Sequence, residues 1–237
     1  MIDKDSPLRK LPHGLSAKQI VFFDALRVSA EIAGQAYDDL VSGLHLLGEG
    51  AKRDQPPNFV GIIRHAWTFV DAAHRFRVVL QQTPSIKHNH VYKLFMRRTN
   101  TVTKMRDNAQ HLNQNLDGIA ERSQGAYGTL TWVLGVGEDS VPKPMMLNIG
   151  TAYGRVVGPE IDFQEQLPIG EIHRVRLELA DRFLMLSDVY EHLASMVRSL
   201  VAPLADFAEG KPRYGSDQFI NFNLTPVDET LGAGTDI

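Results

Sequence analysis

The chain has 237 residues and no cysteine. Disulfides, thiolate zinc sites, iron–sulfur clusters and a cysteine nucleophile are thereby excluded. Long apolar runs are also missing: none could cross a bilayer, and the opening MIDKDSPLRKLPHG lacks the apolar stretch of a signal peptide. A cytoplasmic location without membrane contact is the expectation. Aromatic residues make up 8% of the chain. The two tryptophans, Trp67 and Trp132, fit core packing better than base stacking. A third scarcity is local. Between Asp71 and Asp107 there is no acidic residue, while the same stretch holds Arg75, Arg77, Lys87, Lys93, Arg97, Arg98, Lys104 and Arg106, with His74, His88 and His90. The net charge of −3 gives no global attraction to nucleic acid, so this basic segment is the candidate surface for phosphate or another anion.

What is present is ordinary for a globular domain, with 43% hydrophobic and 22% charged residues. From Ser16 to Gly48, Phe23, Leu26, Ala30, Ala33, Tyr37, Leu40, Leu44 and Leu47 step by three and four, which predicts a long helix with Ser16 as its N-cap. GEGAKRDQPPN interrupts the pattern. A second helix is predicted over Phe59 to Gln82, through Ile63, Ala66, Val70, Ala73 and Leu80. A third should run unbroken from about His90 to Arg122, with a seam of Val102, Met105, Ala109, Leu112, Leu116 and Ile119. Narrow seams and short connections suggest an antiparallel bundle.

After Gly125 the texture changes to short runs rich in Thr, Val, Trp and Tyr between glycines and prolines, which predict strands. IHRVRLEL alternates, and AD reads as a tight turn into RFLMLS. A closing helix is predicted from about Asp188, with Glu191 completing a capping box and Pro203 kinking it or bringing it near its end. The expected class is α+β, mainly α: a helical bundle with an inserted antiparallel β-meander and hairpin at about 126–186 and a C-terminal helix. Residues 1–210 read as one domain and 211–237 as an extended or loose tail.

The chemistry-bearing stretch is KMRDNAQHLNQNLDGI, residues 104 to 119. On an ideal helix His111 lies roughly 125° from the centre of the apolar seam, so it is no core histidine. Lys93, Arg97, Asn100, Lys104, Asp107 and Asn115 share its side, with no glutamate among them. A merely solvated face usually mixes lysine with glutamate at i,i+4, so this composition suits an anion or a polar partner. Asp107 and His111 are i,i+4, which lets the carboxylate orient the imidazole for proton transfer. Arg106 lies about 140° around from His111. A long side chain or a second subunit is needed to bring them together.

RDNAQH, residues 106 to 111, resembles the Arg-x4–6-His signature of the HEPN superfamily, with Asp107 as the polar residue after the arginine. The arrangement of helices, then strands, then a final helix is similar to uncharacterised bacterial HEPN-like proteins. This resemblance implies a single HEPN-like domain acting as a homodimer, without cofactor or metal. Such a domain would bind RNA, another anionic ligand or a protein partner, or would act as a metal-independent endoribonuclease. In the nuclease His111 would be the general acid/base, Arg106 would stabilise the charged phosphorane and Asp107 would orient. The looseness of the motif and the negative net charge favour the interaction or RNA-binding reading. Lys93, Arg97, Asn100, Lys104 and Asn115 are then the anion-binding residues.

Other patterns carry less. Asp71 and His74 are spaced i,i+3 as half a metal site, but no matching carboxylate–histidine set is found, and a surface or inter-helix hydrogen bond is the expectation. His88 and His90 in KHNH read as solvated loop histidines. GVGEDS lacks the lysine of a phosphate loop, and no Gly-x-Ser-x-Gly elbow occurs.

Overall fold

The computed structural model describes residues 1–48, 57–82, 90–122, 124–137, 141–150, 167–215 and 217. The fold is α+β and mainly helical. Among these residues the order is α1 (Ala17–Gly48), α2 (Phe59–Gln82), α3 (His90–Arg98), α4 (Asn100–Gln110), α5 (Leu112–Glu121), β1 (Thr129–Leu134), β2 (Lys143–Asn148), β3 (Ile172–Leu179), β4 (Arg182–Met185) and α6 (Leu186–Ala208). Lys87, His88 and part of GVGEDS lie outside the described residues.

α1 starts where its cap dictates. The Ser16 hydroxyl accepts from the Gln19 backbone N–H at 3.3 Å, and the Gln19 side-chain oxygen accepts from the Ser16 N–H at 2.9 Å. This reciprocal pair satisfies two otherwise orphaned donors. The predicted seam of α1 is its buried face, with Leu26, Ala30, Ala33, Leu40 and Leu44 fully buried. It packs along α2, whose Ile63, Ala66, Val70, Ala73 and Leu80 are likewise buried. Tyr37 ties this pair to α6 by stacking on Tyr190, ring centroids 4.3 Å apart.

The sheet has the order β2-β1-β3-β4, all neighbours antiparallel. Ala180 and Asp181 form the two-residue turn between β3 and β4, with Ala180 at a φ of 53°. Gly128, at a φ of 86°, enters β1 so close to the Glu178 carbonyl that a Cβ would collide with it. Leu130, Trp132, Val175, Leu177, Leu179 and Leu184 join the helices in one core. The shift in register between Thr131 and Val133 falls beside Arg174, whose φ is 50°.

The third helix departs from expectation. It is interrupted at Thr99 and again at His111, where the backbone leaves helical geometry (φ −104°, ψ 38°). Arg77 of α2 explains the first break. Its guanidinium is 5% exposed and donates to the Met96 carbonyl at 2.9 Å and to the Thr99 hydroxyl, which in turn donates to the Phe95 carbonyl at 2.7 Å. A buried cation takes the acceptors at the end of α3, and the chain restarts with a tighter bond from the Val102 N–H to the Thr99 carbonyl. At the second break the Asn115 amide donates to the Asn108 and His111 carbonyls, at 3.0 and 3.2 Å. Because the phase is reset, Val102, Met105 and Ile119 are buried as the seam requires, while Leu116 is 51% exposed.

α6 also starts earlier than expected. β4 runs directly into it at Leu186, and its N-cap, Met185, makes no side-chain cap bond, so Asp188 lies in the first turn instead of capping it. There its charge complements the helix dipole. The helix continues through Pro203 to Ala208. Beyond Gly210 the chain returns to the N-terminal loop: Arg213 bridges Pro12, Tyr214 stacks on His13 at 4.1 Å, and Asp217 accepts from the buried Arg27 guanidinium at 2.7 Å.

Thr99→Val keeps the shape of the break but leaves the buried Arg77 charge one acceptor short. Urea unfolding should show a loss of about 1.5–3 kcal/mol, whereas Thr103→Val on the partly exposed side of α4 should show far less.

Candidate functional site

The residues expected to act together separate into two places. Lys93, Arg97, Asn100, Lys104, Asp107 and His111 are exposed. Lys93 and Arg97 are one turn apart on α3, and Asn100, Lys104 and Asp107 recur at the same spacing on α4, so each helix presents one polar side. Among the described residues Lys93, Arg97 and Lys104 have no acidic partner, and Arg98 beside them is exposed as well. The acid-free stretch of sequence leaves Asp107 as the single carboxylate on these two helices, and no ion pair joins it to Lys93, Arg97 or Lys104 among the described residues. Asn115 is placed differently. Its amide is engaged with backbone carbonyls at the α4–α5 break, a structural task.

Arg106 points elsewhere. Its Nε donates to Asp71 of α2 at 3.1 Å and its Nη1 to Gln110 at 3.1 Å. Asp71 is thus engaged in an inter-helix ion pair, and among the described residues no group of three or more histidine or carboxylate side chains is arranged to hold a metal ion. His111, at the helix break, shares neither partner; its backbone N–H donates to the Asp107 carbonyl at 3.0 Å, but no side-chain hydrogen bond joins the two among the described residues. A single chain therefore does not assemble Arg106, Asp107 and His111 into one constellation.

The histidine that Arg106 does meet is His74. Burial holds its pKa below the ordinary value, the Arg106 charge and then Arg77 add to that, and Asp107 and Asp71 oppose it. Its Nδ1 is buried with no hydrogen-bond partner among the described residues. The i,i+3 spacing of Asp71 and His74 was the only sequence signal for this cluster, and only packing of α2 on α4 supplies its arginine.

Next to the cluster is a groove of about 530 Å³ between α2, α4, the turn before β1 and the end of β3. Trp67 lines it and is only partly buried, packed against the edge of the core, whereas Trp132 within the core is 1% exposed. The Trp67 indole N–H donates to the Tyr127 carbonyl at 3.0 Å, which fixes the ring against the turn. Arg64 and Arg106 stand on the same groove, and Arg64 has no ion-pair partner among the described residues. Sequence inspection misses this groove because its walls come from residues 60–71, 106–112, 126–127 and 179.

No protein-family model, no curated protein and no solved structure matches this chain.

The depressed His74 pKa has a definite consequence for stability. Folding favours the neutral ring, so the unfolded chain binds more protons as pH falls below about 6.5. The contribution is complete above that pH and is lost as pH falls through the lower folded value. Thermal melting of His74→Phe beside the wild type, between about pH 7 and pH 5, should show a smaller acid-side decline in the variant.

Proposed function

We propose that this protein is an RNA-binding, HEPN-like interaction protein that acts as a homodimer, and that RNA phosphates contact the basic side of α3 and α4. The observation that carries this reading is the set of exposed cations, Lys93, Arg97 and Lys104, without acidic partners among the described residues. Cations left unpaired on a protein of net negative charge are suited to displacing counterions from a phosphate backbone. Asn100 adds a neutral donor and acceptor within the same array. The Arg106-to-His111 spacing is the sequence support for the HEPN affiliation. Leu116, apolar by pattern and half exposed on the short α5, supports a second chain as its cover.

Binding is favoured over RNA cleavage because Arg106 is already held by Asp71 and Gln110, apart from His111. An endoribonuclease built on these residues needs the second copy to rejoin them.

Anisotropy of a labelled single-stranded RNA, titrated in chelator at salt between about 50 and 200 mM, tests the reading. Affinity should fall steeply with salt, and replacing Lys93, Arg97 and Lys104 by glutamine should flatten the logarithmic slope by about 2, at roughly 0.7 per phosphate contact. Salt-independent binding, or identical slopes for the two proteins, refutes it. The RNA should be recovered at full length; chelator-resistant cleavage that disappears in His111→Ala would replace this reading with the nuclease. Sedimentation should show a dimer that Leu116→Lys dissociates.

A further inference from the structure

We infer that the groove between α2, α4 and the turn before β1 is a separate binding site for a small monoanion, a carboxylate carried on a flat apolar body. The volume, about 530 Å³, is that of a metabolite-sized pocket. Its walls are chiefly apolar, with Ile63, Trp67, Leu112 and Leu179 forming the interior and Trp67 held rigid by its bond to the Tyr127 carbonyl. A pre-positioned aromatic wall suits a planar ligand, because no side-chain ordering accompanies binding.

Charge selects the head group. The groove is lined by two arginines and one carboxylate, and that carboxylate, Asp71, is already neutralised by Arg106. One positive charge remains, that of Arg64, which is exposed and makes no hydrogen bond or ion pair among the described residues. Arg106 commits Nε and Nη1 to Asp71 and Gln110, which leaves Nη2 as a further donor on the same groove. An anionic oxygen pair held by Arg64 and this remaining N–H gains charge-assisted hydrogen bonds at the rim of an apolar slot. Neither group belongs to the basic side of α3 and α4, so the two sites are independent. A neutral ligand leaves Arg64 unanswered, and a doubly charged phosphate exceeds the available positive charge.

Calorimetric titration of the full chain with benzoate, naphthoate and indole acetate, beside the neutral naphthalene methanol, tests the site. At least one carboxylate should bind saturably and about tenfold or more tighter than the alcohol. Arg64→Gln should remove that preference without changing the melting temperature, since Arg64 supports no other group. Ala126→Trp, at an exposed position on the groove wall, should block binding altogether. The Lys93, Arg97 and Lys104 triple variant should bind naphthoate as the wild type does, and Arg64→Gln should keep its RNA affinity. The inference is overturned if none of the carboxylates saturates, if the alcohol binds equally, if Arg64→Gln leaves affinity unchanged, or if the triple variant loses the ligand.

Discussion

The buried guanidinium of Arg77 sets where α3 ends and α4 begins, and with that the phase of α4. Burial works against its charge, yet an arginine does not deprotonate inside a protein, so its hydrogen-bond demand must be met locally. The acceptors within reach are the Met96 carbonyl and the Thr99 hydroxyl. Supplying them means ending α3 and restarting the chain as α4 one residue later. The edge-to-face contact of Phe76 with Phe95, centroids 5.6 Å apart, seals the same junction with apolar surface. One buried cation thus sets where a helix stops.

The phase set by that break decides what each side chain of α4 meets. Met105 and Val102 turn into the core, Arg106 turns to Asp71 and His74, and Lys104 and Asp107 stay in water. The second break, held by Asn115, leaves His111 exposed at a corner of the chain. Groups adjacent in the chain are therefore divided between an open basic side and a groove with apolar walls. These environments favour different chemistry: exposed, unpaired cations in high dielectric suit a polyanion, and an arginine at the rim of an apolar slot beside a fixed indole suits a compact anion.

Much of this was legible in the residues themselves. The α1 and α2 seams, the Ser16 cap, the alternation of β3 and the hairpin at Ala180 and Asp181 all follow from local spacing, because burial of one face requires a period of 3.6 or 2. Exposure of Lys93, Arg97, Asn100, Lys104, Asp107 and His111 was legible for the same reason. The breaks at Thr99 and His111 were not. Neither residue is a helix breaker, and each break answers a hydrogen-bond partner, Arg77 from a different helix and Asn115 from the next turn. The start of α6 at Leu186 was missed because the capping-box pattern of Asp188 and Glu191 competes with a strand that continues directly into the helix. Asn115, with the composition of a binding residue, is instead engaged by backbone.

Local spacing is enough to specify the class of fold, the faces of the long helices and the basic stretch, since each depends on residues within a turn or two of one another. Packing across elements puts Arg106 with Asp71 and His74 rather than with His111, and leaves Trp67 at the edge of the core with one side on a groove. Those outcomes depend on buried polar groups finding partners across elements, a requirement that acts at short distance in space and at any distance along the chain.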